Sequence, residues 1–143
     1  MTEKIARCGF KCHLCPAFVE NIHSPVDQVK GASAWSLYFS VNIPAGMMKC
    51  HGCMSNKDDG FAFPDMNCPV RPCATEKGLE NCALCRDYIC AKLKSRMDGY
   101  ESARKRFQGE IPQDEFEKYI APYDAQKTLG EIRKASGDGH KLP

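Results

Sequence analysis

The sequence predicts a mostly α-helical fold with irregular, cysteine-rich loops and little or no β-sheet. Three observations support this prediction. Ten cysteines lie in the first 90 residues, turn-forming residues fill the stretch 47–90, and the segments between and after the cysteines have helical apolar spacing. The chain has 143 residues, enough for one core with an appended helical arm. We therefore predict a cysteine-rich domain over 1–97 and a helical C-terminal extension, 98–143, packed on it.

The first predicted helix covers 24–40. Ser24 stands where a side chain can cap the helix, and Pro25 suits the first helical position. The chain has one tryptophan, Trp35, which we expect to anchor the core. A loosely apolar face of this helix is expected to include Val26, Val29, Trp35 and Leu37.

Further helices are expected around and after the later cysteines. A short helix is predicted over 74–79, and a second one from Tyr88 to about Arg96, which Asp98 and Gly99 should end. The last part of the chain has no cysteine and keeps helical spacing. Its predicted helices are 100–108, 112–120 and 124–135, with Asp124 in a capping position.

The cysteines fall into four groups with short internal spacings. Three groups contain a Cys-x2-Cys step, in which a tight turn points two sulfur atoms at one metal ion, about 2.3 Å from each. Repeated steps of this kind indicate metal binding. His13 and His51 lie inside two of the turns, where we expect the side chain to point away from the ion. The groups are Cys8-x3-Cys12-x2-Cys15, Cys50-x2-Cys53, Cys68-x4-Cys73 and Cys82-x2-Cys85-x4-Cys90.

Chain order divides eight of these cysteines between two four-coordinate sites. The first site would join the two turns on either side of helix 24–40, and its ligands would be Cys12, Cys15, Cys50 and Cys53. The second site would use the later groups, and its ligands would be Cys73, Cys82, Cys85 and Cys90.

Two choices in this division stay open. Cys73 is preferred to Cys68 because it stands just before a predicted helix, whose positive end favours a thiolate. Cys90 is favoured for the same reason, since it opens the next helix. Cys8 and Cys68 then remain as surplus cysteines, which could replace a chosen ligand or be buried as small apolar side chains.

Charge and hydropathy do not indicate a membrane protein or, by themselves, a nucleic-acid binder. The 20 Lys and Arg residues nearly balance the 18 Asp and Glu residues, so charge alone does not indicate a nucleic acid or a membrane as partner. No window approaches the ~18 apolar residues of a membrane span, and the N-terminus has no apolar signal stretch. We therefore expect a cytoplasmic protein, in which paired cysteines are metal ligands or redox thiols.

Zinc is the expected cofactor, with two ions per chain, because closed four-cysteine sites are its commonest structural use. An iron–sulfur cluster is the alternative, although the ferredoxin spacings are absent. No catalytic motif is found, and no catalytic residue is assigned. The expected function is a zinc-stapled module that binds a protein or a small molecule.

Two other functions stay open. One is a redox protein, which would use an iron–sulfur cluster or the surplus thiols of Cys8 and Cys68. The other is a nucleic-acid binder, although the near-neutral total charge makes a solvated helix face the simpler interpretation. The basic residues that suggest it are Lys92, Lys94, Arg96, Arg104, Lys105 and Arg106.

The cysteine motifs resemble a known family. They are Cys-Gly-x2-Cys-x2-Cys-Pro at 8–16, Cys-x-Gly-Cys at 50–53, Cys-Pro-Val-Arg-Pro-Cys at 68–73 and Cys-x2-Cys-x-Asp-Tyr-x-Cys at 82–90. Together they are similar to small bacterial and archaeal proteins catalogued as a domain of unknown function and presumed to bind zinc. The resemblance covers about residues 5–97 and implies metal binding without an established reaction. It also implies that Cys8 and Cys68 could be bridging ligands, reserve ligands or a redox pair.

Overall fold

The structure is a computed structural model that describes residues 3–52, 68–108 and 110–136. Within these ranges the chain forms five α-helices and no β-strand, and strand-like pairing is confined to two isolated bridges. The predicted fold class, mostly helical with little or no sheet, is confirmed. None of the described helices has both the length and the apolar character that a membrane span requires. The helices are α1 (Pro25–Phe39), α2 (Val70–Glu76), α3 (Ala91–Phe107), α4 (Gln113–Glu115) and α5 (Ala125–Ala135).

The start of α1 is close to the prediction, but its cap is different. Pro25 is the first helical residue and Ser24 is the N-cap residue, yet Ser24 makes no side-chain cap hydrogen bond. The Asp27 carboxylate instead accepts the backbone N–H of His23 at 2.8 Å, and this hydrogen bond lowers the pKa of Asp27. The carboxylate of a first-turn residue thus binds the N–H of the residue that precedes the N-cap.

The apolar face predicted for α1 is largely wrong. Trp35 is buried as expected, with 6% of its surface exposed, but Val26, Val29 and Leu37 are more than half exposed. The helix instead buries one stripe of residues at helical spacing against the rest of the molecule. That stripe consists of Gly31, Ala34, Trp35 and Tyr38.

α3 runs without a break through Asp98 and Gly99, where the sequence predicted the helix to end. The carboxylate of Asp98 forms an ion pair with Lys94, one turn earlier in the helix, at 2.8 Å. The boundary predicted between residues 97 and 98 therefore falls inside a continuous helix. A buried stripe at helical spacing continues across this point and outweighs the low helix propensity of glycine. It consists of Leu93, Met97, Tyr100 and Ala103.

The last part of the described chain folds back onto the cysteine-rich part. α4 continues into a π-helical turn, Phe116–Ile120, and then into a 3₁₀ turn, Ala121–Tyr123. Asp124 caps α5 as predicted, because its carboxylate accepts the N–H of Lys127 at 3.2 Å. Leu129 of α5 is fully buried and packs closely on Gly9, whose φ is +97°. A Cβ added at Gly9 would lie 2.7 Å from the Cγ of Leu129.

Candidate metal centre

The Cys82-x2-Cys85 step forms a tight turn, as its spacing predicts. Cys82 begins the 3₁₀ turn Cys82–Leu84, and the backbone N–H of Cys85 closes it by donating to the carbonyl of Cys82 at 3.2 Å. Helix α5 supports the turn from outside, since the guanidinium of Arg133 donates to the carbonyl of Ala83 at 2.6 Å. The C-terminal helix therefore helps to position this pair of cysteines.

Cys90 and Cys73 lie at or in helices. Cys90 is the N-cap residue of α3, as predicted, with extended backbone (φ −87°, ψ 170°). The expectation that Cys73 precedes a short helix is wrong, because α2 begins at Val70 and includes Cys73. The reason is that Pro69, the residue before the helix, already has helical backbone (φ −72°, ψ −19°), so the helix starts earlier than predicted.

These four cysteines surround one small pocket, which we call the four-cysteine pocket. Its volume is ≈ 10 Å³, and a cavity of roughly that size holds about one water molecule. A cavity of this size is too small for an organic substrate. The cysteines that line it are Cys73, Cys82, Cys85 and Cys90, and Cys68 is not among the lining residues.

The four sulfur atoms are not already spaced as a complete ligand set. Among residues 3–52, 68–108 and 110–136, no three His, Cys, Asp or Glu side chains are arranged to hold a metal ion. The sulfur atoms are nevertheless close enough to influence one another. Burial raises the pKa of Cys82 to about 12, and negative charge on Cys85, Cys90 and Cys73 adds to this effect.

Cys85 accepts two N–H groups. The backbone N–H of Asp87 lies 3.4 Å from Cys85 Sγ, and Nζ of Lys77 lies at the same distance of 3.4 Å. Lys77 also pairs with the Asp87 carboxylate at 3.1 Å. The hydrogen bond to Asp87, followed by that to Cys85, raises the pKa of Lys77. An ammonium and a backbone amide thus converge on the sulfur of Cys85.

The structure also brings the first cysteine turn close to Cys50. The backbone N–H of Phe18, just after the turn, donates to the carbonyl of Cys15 at 3.1 Å, and the next residue donates to the carbonyl of Cys50 at 2.8 Å. Gly52 has a positive φ of +86°, and a Cβ there would lie 4.0 Å from Cys12 Sγ. Its N–H donates to Cys50 Sγ at 3.3 Å. Three of the four predicted ligands thus lie in adjoining segments, and Cys53 falls outside the described residues.

Tyr123, which no sequence motif marks, links the first group of cysteines to the helical core. Its hydroxyl oxygen accepts the indole N–H of Trp35 at 3.0 Å and lies 3.0 Å from Cys15 Sγ. Since an indole N–H can only donate, the Tyr123 proton is available to the sulfur. No local pattern could reveal this contact, because Tyr123 is 108 residues away from Cys15 along the chain.

Tyr123→Phe is expected to lower the free energy of unfolding by roughly 1–3 kcal/mol, because the buried Trp35 N–H loses its acceptor. The ring contacts would remain, so the loss would reflect the hydroxyl alone. Trp35 is the one tryptophan in the chain, and its fluorescence would report the change directly. Tyr38→Phe is the matched control, since Tyr38 is also buried but donates to Glu115. Equal emission changes in both variants would contradict the assignment.

The two surplus cysteines belong to a core cluster that also contains Cys82 and, partly buried, Cys12 and Cys90. Cys8 is buried, with 4% of its surface exposed, in a core cluster with Leu93 and Leu129, and Cys68 packs partly buried against the same cluster. Cys8 thus lies where a small apolar side chain would be buried. His13 is also buried, and its Nδ1 accepts the backbone N–H of Lys4 at 2.9 Å.

Comparison with known proteins identifies a matching family. A family model described as "Protein of unknown function (DUF3795)" matches residues 4–95. All ten cysteines lie within the matched span. No curated protein and no solved structure matches the chain.

Proposed function

Because the chain belongs to this family of proteins of unknown function, whose matched span contains every cysteine, we propose its role from the geometry of the cysteines. We propose that the protein binds zinc as a structural ion in the four-cysteine pocket. The observation that carries the proposal is the convergence of four cysteines from three separate segments on a pocket of ≈ 10 Å³. If the cysteines were only small apolar side chains buried in the core, their convergence on one pocket would have no explanation. The N–H groups aimed at Cys85 would have none either.

The chemistry of the donors favours zinc over the alternatives. Thiolate-only sites suit zinc, cuprous copper and iron–sulfur clusters. A pocket with room for about one water molecule fits a single ion better than a cluster of several iron and sulfide atoms. Zinc held by four thiolates keeps no open coordination position, so such an ion stabilises a fold and performs no Lewis-acid chemistry. Binding would require the thiols to lose protons and the side chains to move to ligand distance.

A second zinc ion is proposed at the first group of cysteines. Three of its ligands would be Cys12, Cys15 and Cys50, whose segments adjoin one another, and Cys53 would complete the set. The Tyr123 hydroxyl would then donate to the Cys15 thiolate.

With closed sites and no assigned catalytic group, we propose a binding module for a protein or small-molecule partner rather than an enzyme. Reduced thiolate sites of this kind suit the cytoplasm. The nucleic-acid alternative has less support, since several of the basic side chains are engaged within the chain. Arg106 donates to the carbonyl of Leu37 at 2.9 Å and to Ser40 Oγ at 3.1 Å. The guanidinium of Arg96 stacks 4.9 Å from the ring centre of Phe10.

The test is the elemental content of protein purified without added metal, read together with its visible absorption spectrum. We expect close to two zinc ions per chain and no visible bands, since zinc has a filled d shell. Iron with sulfide and broad visible absorption would instead favour the redox alternative. Metal-free protein with the same thermal stability before and after treatment with a chelator would reject the proposal.

A further inference from the structure

A surface groove lies between the last two turns of α3 and the chain that leads into and through α4, and we call it the α3 groove. Its volume is ≈ 580 Å³, within the range of about 300–1,000 Å³ that is usual for small-molecule sites. None of its described lining residues is a cysteine, and it shares none with the four-cysteine pocket. It is therefore a separate candidate site.

The wall that α3 contributes is basic. Arg104 is 56% exposed and pairs with Glu101 at 3.9 Å, a pair too exposed to hold the guanidinium strongly. Lys105 is exposed and forms no ion pair within the part of the chain that the structure describes. Two cations thus face one carboxylate on this wall. Its four residues lie three or four positions apart, on one face of the helix; they are Glu101, Arg104, Lys105 and Gln108.

The basic residues at the end of α3 exceed what the helix itself requires. The carbonyl end of a helix carries roughly half a negative charge, which one cation in the last turn offsets. Arg106 lies in that turn and is already bound, since it donates to the carbonyl of Leu37 at 2.9 Å and to Ser40 Oγ at 3.1 Å. Arg104 and Lys105 therefore remain as additional positive charge beside the groove.

The opposite wall supplies apolar surface. Ile111 and Phe116 line the groove and are partly buried against a core cluster that contains Tyr100 and Ile120. The ring of Phe116 packs edge-on against Tyr100, with the ring centres 6.4 Å apart. A molecule in the groove would therefore meet cations on one side and an apolar surface, fixed by the core, on the other.

We infer that the α3 groove binds a small organic anion, a carboxylate with an apolar body. The carboxylate would pair with Lys105 and Arg104, and the apolar body would pack on Ile111 and Phe116. The inference rests on the binding-module part of the proposed function and uses neither zinc ion. A nucleic acid would instead need phosphate contacts repeated along a basic surface, whereas this groove combines two cations with apolar side chains.

The experiment titrates the full-length protein with 4-phenylbutyrate and follows the backbone amide signals by NMR. We expect the signals of Ile111 and Gln113, both in the apolar wall's segment, to shift with a dissociation constant of about 1 mM for so small a ligand. 4-Phenylbutanamide keeps the apolar body without the charge, and acetate keeps the charge without the body. Each is expected to bind at least about tenfold more weakly.

Lys105→Gln is expected to weaken the binding of 4-phenylbutyrate about tenfold, the lower end of the effect of losing a hydrogen bond to a charged group. Glutamine suits an exposed helical position, so the fold should be retained. Lys105→Arg keeps the charge and is expected to keep the affinity. Lys134→Gln is the matched control, because Lys134 is an exposed cation in the last turn of α5 and does not line the groove.

Wild-type affinity in Lys105→Gln, or equal binding of the carboxylate and the amide, would overturn the inference. Amide shifts that leave out Ile111 and Gln113 would overturn it too, because the probe would then lie elsewhere. Tighter binding of a single-stranded oligonucleotide at the same residues would replace the organic anion by a nucleic acid. Zinc content is measured in the same samples and separates the two proposals. Failure of the probe to bind zinc-loaded protein would overturn the inference alone, whereas metal-free protein that binds the probe would support it and reject the zinc sites.

Discussion

Cys73→Ser is expected to remove one zinc ion per chain and to destabilise the fold, whereas Cys68→Ser should do neither. Cys73 lines the four-cysteine pocket and Cys68 does not, although both are partly buried. The affinity of a structural zinc site is itself folding free energy, about 10–16 kcal/mol in small zinc domains. Loss of one thiolate ligand should therefore lower the free energy of unfolding by at least ~3 kcal/mol.

Metal content and urea unfolding of the two variants check this prediction. Cys85→Ser should repeat the behaviour of Cys73→Ser, since it removes another lining residue of the same pocket. Wild-type stability with full zinc content in Cys73→Ser would contradict the assignment. Loss of zinc from Cys68→Ser instead would move the fourth ligand to Cys68, the choice that the sequence left open.

Leu129→Ala is expected to have a similarly large effect, for a reason that involves no metal. Leu129 is fully buried in α5 and packs on the backbone at Gly9, close to the first cysteine turn. Truncating such a side chain leaves a cavity and costs about 2–5 kcal/mol. Leu37→Ala is the matched control, since Leu37 is 56% exposed on α1 and should change stability by less than ~0.5 kcal/mol.

The measurement is equilibrium unfolding of both leucine variants, followed by Trp35 fluorescence and by circular dichroism. Because Leu129 joins the last helix to the first residues of the cysteine-rich part, both probes should shift to lower urea concentration together. If only the helical signal shifts in Leu129→Ala while Trp35 keeps its wild-type transition, the two parts unfold independently. That outcome would contradict the role of the Leu129–Gly9 contact as a link between the two parts.

Local signals predicted much of this fold. Pro25 and Asp124 mark the starts of α1 and α5, and Cys90 opens α3, because caps and first-turn residues act within a few positions of one another. The Cys82-x2-Cys85 spacing likewise predicted a turn that the structure contains. These features depend on neighbours along the chain, so the sequence alone is sufficient to find them.

The features that were missed depend on tertiary packing. Gly99 favours a helix break by propensity, but α3 continues because Met97 and Tyr100 on either side of it are buried against other helices. The exposed Val29 of α1 looks like a core residue until the partners of the helix are known. The contact of Tyr123 with Cys15 joins distant parts of the chain, and no spacing rule reports it.

The continuity of α3 has a practical consequence for anyone who divides this chain. The family match ends at residue 95, which invites expression of a fragment that stops near residue 97. Such a fragment would keep about two turns of α3, too few for a helix to persist by itself. It would also lack Arg133, which holds the Cys82–Leu84 turn, and Tyr123, which contacts Cys15. A fragment meant to preserve the cysteine sites should therefore extend through the end of α5.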